Sequence, residues 1–251
     1  MGLLKALFGR NKSHDKESRF SEIGNLDAVC PYCNARLEKK PGRKKKCPHC
    51  GSYIHVRTRP SDGERVLVTV GQMKIVDAIR YLTDEQRQEW ERTYTQAESV
   101  LRKQAGAEPA TTDVLWRLLN ESLIHFGKNA YWGLYRNTRF EMADLLEQEG
   151  RLKNALTTYL EVCYLDVNGP QNLGGMSDST LGEYPAFHPE GARLAPALVR
   201  SVSAIAEKLE LDLAEAEGRF LQVADRAHQQ LRTPVSPREA WKKLEAELQL
   251  R

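Results

Sequence analysis

Four of the five cysteines stand in two pairs of identical spacing, Cys30-Pro31-Tyr32-Cys33 and Cys47-Pro48-His49-Cys50, with residues 34–46 between them. A Cys-x-x-Cys turn aims two sulfurs to one side of a tight backbone knuckle. Two knuckles facing each other supply four thiolates at tetrahedral positions, and for zinc the metal–sulfur distance is about 2.3 Å. The interval between the pairs is slightly shorter than the roughly 15–20 residues of the commonest ribbon pattern. Pro31 and Pro48 inside the pairs and Gly51 after the second suit tight turns. Disulfides and a redox dithiol are the competing chemistries. Residues 1–10 lack the long apolar stretch and small-residue cleavage site of a secretory signal. Stable disulfides belong to oxidising compartments, and two clustered pairs fit a single redox dithiol poorly. The expectation is therefore one structural Zn²⁺ held by Cys30, Cys33, Cys47 and Cys50. All four coordination positions then come from the protein, and none is left open for a substrate.

Positive charge gathers beside these cysteines. Residues 34–46 contain Arg36, Lys39, Lys40, Arg43, Lys44, Lys45 and Lys46 against the single acid Glu38, and Pro41-Gly42 marks a turn. The segment reads as a β-hairpin with a cationic tip. After the second knuckle, residues 53–59 alternate as a strand does. Ile54 and Val56 are expected to face a small core, and Tyr53, His55, Arg57 and Arg59 to share the outer face. An aromatic ring and two arginines on a flat strand, next to a lysine-rich hairpin, suit bases and phosphates. The candidate nucleic-acid surface is thus Arg36, Lys39, Lys40, Arg43, Lys44, Lys45, Lys46, Tyr53, Arg57 and Arg59. A protein partner, or a charge run serving only solvation, stays open at this point.

These features sit in a chain of 251 residues with 41% hydrophobic and 28% charged residues, enough to bury a sizeable core. The net charge of +3 conceals an asymmetry. Residues 1–66 carry 15 Lys/Arg and 7 Asp/Glu, or +8, and the remainder carries 22 and 27, or −5. A basic first quarter and a mildly acidic remainder suggest modules with different partners. No run reaches the roughly 20 apolar residues that cross a bilayer, so a cytoplasmic location is expected. Leu3, Leu4, Leu7 and Phe8 form an apolar stripe over a short leader helix, residues 1–10, which resembles short amphipathic leaders of bacterial cytoplasmic proteins. Residues 3–8 offer at most a weak, peripheral membrane contact or a docking peptide. Residues 11–26 read as a polar linker, and residues 27–70 as the ribbon, completed by a strand-like run, Val66 to Val70.

From residue 72 the period becomes helical. Thr83-Asp84-Glu85-Gln86 is a capping box opening a charged helix to about Lys103. Leu115, Leu118, Leu119, Ser122 and Phe126 trace a helical face that stops at Gly127. In residues 130–165, Ala143 and Ala155 permit close helix approach, Gly150 makes the turn, and Leu152, Leu156, Tyr159 and Cys163 form one face. This hairpin resembles a single tetratricopeptide repeat, although the usual proline is displaced to Pro170 and Leu146 stands at the aromatic position. The resemblance implies protein docking and neighbouring helices to cover the open face. Leu198, Val202, Ile205 and Leu209, then Ala216, Phe220, Val223, Ala227 and Leu231, are two candidate covering stripes. Ser236-Pro237-Arg238-Glu239 opens a last helix docked by Trp241 and Leu244. A plain bundle with one repeat-like hairpin is the competing arrangement. Residues 166–193 form a long irregular stretch, in which Tyr184, Phe187 and His188, together with Tyr159, are the candidate protein-binding residues.

The expected fold is mostly α with a small β zinc ribbon, followed by a tetratricopeptide-like helical domain over residues 72–251. A four-cysteine ribbon with a lysine-rich loop, joined to a helical hairpin, resembles bacterial and phage-associated zinc-ribbon proteins, a resemblance that names no activity. No zinc-protease, phosphate-loop or nucleophile-elbow motif occurs. The six histidines are scattered, and no small-molecule substrate is implied. The expected function is a non-catalytic adaptor contacting nucleic acid through the ribbon and protein through the helices. The alternative is a protein scaffold, peripheral to a membrane in one version, whose ribbon is purely structural.

Overall fold

Residues 20–173 and 185–248 are described by the computed structural model. The expected leader helix (residues 1–10), most of the expected linker, and Tyr184 lie outside these residues. The chain divides into two compact units, with the division at Leu118/Leu119. The architecture is mostly helical with one small sheet, as expected from the sequence.

In the first unit, strands β1 (Lys45–Lys46), β2 (Tyr53–Thr58) and β3 (Arg65–Val68) form an antiparallel sheet in the order β1-β2-β3. Three cross-strand pairings set the faces. Val56 lies opposite Leu67, while His55 lies opposite Val68 and Arg57 opposite Val66. Because side chains alternate along a strand, Leu67 and Ile54 point to the cysteine side. There they pack with Cys30, Cys47 and the partly buried Leu37 and Val56. Val66 and Val68 point the other way and pack with Met73. The last three residues of β3 are buried, as a strand covered on both faces requires.

The second cover is helix α1 (Val70–Ile79), which starts two residues before the helical period expected from residue 72 and takes Val70 from the expected strand. Its signal was present: Thr69 and Gln72 form a reciprocal capping box. The strand therefore ends at Val68, and Val70 is the first residue of the helix.

The expected linker also gives way before residue 26. Phe20 and Ile23 are buried, and Asn25 exchanges backbone hydrogen bonds with Leu67 at 2.9 Å in both directions. Gly24, at φ +87°, passes so close to β3 that a Cβ would stand 2.7 Å from Val68 Cγ1. Phe20 joins Trp90 and Tyr94, with ring centroids 5.2 Å away from each. The two partners belong to α2 (Asp84–Ala105), which has the predicted Thr83 capping box and ends on Gly106 in the left-handed conformation.

Helix α3 (Thr111–Lys128) leads into the second unit. There α4 (Trp132–Gln148) and α5 (Leu152–Asn168) form the predicted hairpin, turning at Gly150 with φ +77°. Ala143 and Ala155 are fully buried at the helix contact. Asp166 binds Arg136 through two hydrogen bonds of 2.5 and 2.6 Å, and Glu161 pairs with Arg139. The remaining helices are α6 (Pro196–Lys208), α7 (Leu213–Leu231) and α8 (Pro237–Glu245), the last two opened by capping boxes at Asp212 and Ser236.

Helix α5 packs against α4, α6, α7 and α8. In a solenoid each repeat meets only its sequence neighbours, so this unit is a helical bundle about α5, with α4 and α5 as its hairpin. Near the end of α5, the Tyr164 hydroxyl donates to Val235 O at 2.8 Å and lies 2.5 Å from Thr233 Oγ1. Asn168 Oδ1 accepts from Val235 N at 2.8 Å. These bonds fix the entry to α8. Cys163 is buried and its thiol is pushed far up by burial, as a core cysteine should be.

Candidate metal centre and its basic flank

Each cysteine pair closes its own turn. Asn34 N donates to Cys30 O and Gly51 N to Cys47 O, both at 3.0 Å, and Cys30 N and Cys47 N donate onward to Ala35 O and Ser52 O. Asn34 and Gly51 follow the second cysteine of each pair, and both adopt the left-handed conformation, at φ +57° and +75°. Gly51 was legible as a turn residue. Asn34 performs the same task, with asparagine's tolerance for this region.

The two knuckles bring the four sulfurs within 4.8 Å of one another. Cys30 Sγ lies 3.9 Å from Cys50 Sγ, and Cys33 Sγ lies 3.9 Å from Cys47 Sγ. Sulfurs about 2.3 Å from a common tetrahedral centre stand about 3.8 Å apart. The four thiols are unpaired by disulfides and fit a single metal ion. Cys30 and Cys47 are buried in the apolar cluster, whereas Cys33 and Cys50 face solvent. Burial pushes the Cys30 thiol up to about 12, so ionising it in place needs a cation beside it. The Ser52 backbone N–H and hydroxyl pull the Cys50 thiol down to about 6. Tyr32, inside the first knuckle, was not singled out by its sequence. Its hydroxyl accepts from Val70 N at 2.8 Å, and so ties the N-terminus of α1 to the metal knuckle.

The basic flank differs from its expected form. Residues 34–46 make no hairpin of their own. Val29 bridges Arg36 across the first knuckle, while Lys45 and Lys46 pair with Ile54 and Tyr53 across the second. The predicted outer face of β2 is the face that α1 covers. His55 is buried there, and Arg59, just past the end of β2, is buried as well. Arg57 makes a bidentate pair with Asp77 of α1 at 2.8 and 3.1 Å. Arg59 clasps Asp62 in the β2–β3 turn, and its hydrogen bonds hold the Asp62 carboxyl down to about 2. Lys40 Nζ donates to Arg65 O at 2.5 Å, and Arg65 donates to Gly42 O. Arg36, Lys39, Arg43, Lys44, Lys45 and Lys46 are exposed, and none has a carboxylate partner among the described residues. Lys44 Nζ lies 4.8 Å from the centroid of the Tyr53 ring.

Of the proposed protein-binding residues, Tyr159 is 1% exposed and donates to Glu147 Oε2 at 3.0 Å. Phe187 is buried and stacked on Trp132. Both are core residues, Tyr159 against Phe140 and Glu147, and Phe187 against Trp132. His188 is exposed, its backbone N–H held by Gly169 O at 2.8 Å.

His55 supplies a pH test of the α1 packing. Burial, then Lys44 and Arg57, lower its imidazole from 6.5 to about 4. Between those values the unfolded chain binds a proton that the folded chain refuses. Stability is therefore complete above about 6.5 and is lost as pH falls toward 4, by on the order of 2 kcal/mol. Urea unfolding at pH 7 and pH 5 is expected to show a smaller acid loss for His55→Gln than for the natural chain. Equal losses would place the histidine outside the core.

No protein-family model matches the chain, and no curated protein or solved structure gives a significant match. No helix among the described residues is long and apolar enough to cross a membrane.

Proposed function

We propose that this protein is a non-catalytic, zinc-dependent adaptor whose ribbon holds the phosphate backbone of a nucleic acid. Supporting the metal assignment is the donor set, since four thiolates in a closed tetrahedron are the shell of structural zinc. Four-sulfur sites also take iron, and metal analysis of the purified chain separates the two. One observation carries the nucleic-acid reading: six exposed cations, Arg36, Lys39, Arg43, Lys44, Lys45 and Lys46, stand on one short stretch without carboxylate partners among the described residues. Phosphates, unlike most protein surfaces, reward such density, because each one neutralised releases condensed counterions. The helical unit contributes the protein contact of the adaptor. Among the candidates in the described residues, His188 stays accessible, since Tyr159 and Phe187 are core.

The rival reading, a protein scaffold with a purely structural ribbon, draws on a different observation. Lys40, Arg57 and Arg59 spend their donors within the fold.

A salt titration decides between them. With six phosphate contacts, log Kd against log salt is expected to have a slope of about 4 to 5. Changing Arg43, Lys44, Lys45 and Lys46 together to glutamine is expected to reduce that slope by about 3. Mobility-shift titrations from low to moderate salt provide the measurement. Absence of a shift at low salt would leave the scaffold reading.

A further inference from the structure

We propose that the basic flank takes single-stranded nucleic acid, with one base stacked on Tyr53 and adjacent phosphates held by Lys44 and Lys46; this rests on the nucleic-acid reading above. The β1–β2 register places Lys46 opposite Tyr53, so their side chains share a face of the sheet. Lys44 reaches the same place, with its Nζ 4.8 Å from the Tyr53 ring centroid. The ring is 52% exposed and is carried on a strand rather than a loop. Little ordering is left to be done when a base settles on it.

The same face also limits what can be recognised. Further along β2, His55 is buried and Arg57 is engaged by Asp77. The guanidiniums of Arg57 and Arg59 are thus spent on Asp77 and Asp62 rather than on reading base edges, and a lysine–tyrosine–lysine platform remains. In a duplex the faces of the bases are occupied by their neighbours, and an aromatic ring on a flat sheet cannot enter the stack. A single strand offers both a free base face and phosphates. Stacking is tolerant of base identity, so the expected binding is sequence-tolerant.

The test uses the full metal-loaded chain and two fluorescent probes of equal phosphate number, an oligothymidine and a duplex, followed by anisotropy at low salt. The oligothymidine is expected to bind at least about tenfold more tightly. Tyr53→Ala is expected to weaken that binding about 5- to 150-fold and to leave duplex binding unchanged. Tyr53→Phe keeps the ring and is expected to retain it. Retention of one metal per chain confirms that each variant is folded. If single strand and duplex bind equally, Tyr53→Ala changes neither, and glutamine at Lys44 and Lys46 still weakens both, then the stacking inference fails and the nucleic-acid reading stands. If neither probe binds, or if phosphatidylserine vesicles are preferred to both, the two readings fall together.

Discussion

Cys47→Ser is expected to leave the chain without its metal ion and to unfold the ribbon. Cys47 is 2% exposed and forms one apolar cluster with Cys30, Ile54 and Leu67. The candidate metal site is thus anchored in the small core through Cys30 and Cys47, with Cys33 and Cys50 toward solvent. The sheet has only three short strands, too few to hold the two knuckles together unaided. Structural zinc contributes an apparent 10–16 kcal/mol in small ribbons, about the whole stability of an ordinary domain. Losing one thiolate of the four removes most of that. The damage extends to α1, because Tyr32 in the first knuckle accepts from Val70 N. Metal analysis is expected to fall from one ion per chain to nearly none. Amide NMR signals of residues 27–68 should collapse toward unfolded positions, while those of the second unit, whose core surrounds α5, persist. Cys50→His provides the contrast. Cys50 faces solvent, and imidazole is an accepted zinc ligand, so this variant should keep the ion with reduced affinity. A Cys47→Ser chain with full metal content and an unchanged spectrum would refute the site.

Trp90→Ala is expected to be the most damaging change in the first unit outside the metal site. Trp90 has no exposed surface and packs against both Phe20 and Tyr94. Emptying a fully buried tryptophan position costs about 3–5 kcal/mol, from lost transfer free energy and the cavity left behind. That is a large part of a typical domain's 5–15 kcal/mol. Phe20→Ala should cost about 3 kcal/mol at the other side of the same cluster. Leu26→Ala, six residues further on, should change stability by no more than about 0.5 kcal/mol, because Leu26 is 47% exposed. Urea unfolding of the three variants separates a docked segment from a polar linker. If Phe20→Ala matched Leu26→Ala, the segment at residue 20 would be a linker after all.

Local signals were read from the sequence most completely. The cysteine spacing alone identified all four candidate ligands, because a Cys-x-x-Cys knuckle is set by the few residues within it. The capping boxes at Thr83 and Ser236 located two helix starts for the same reason, as each is a hydrogen-bonded exchange over three residues. The helical hairpin was legible from Ala143, Gly150 and Ala155, whose sizes must match at a close contact.

Alternation along β2 correctly divided Ile54 and Val56 from Tyr53, His55, Arg57 and Arg59. It could not say that the second set also faced protein. Only the tertiary structure decided that, by laying α1 over the strand, burying His55, and pairing Arg57 with Asp77 twenty residues away. The same packing moved the exposed aromatic–cation surface from Tyr53 with Arg57 and Arg59 to Tyr53 with Lys44 and Lys46. In the second unit, sequence periodicity placed Tyr159 on an apolar helix face and left Phe187 in an irregular stretch, and tertiary packing made both core. Sequence determined which atoms can bind the metal and where the charge lies, since spacing and composition are local. Tertiary structure decided which charges remain free, because an ion pair depends on the partner that folding brings across the sheet.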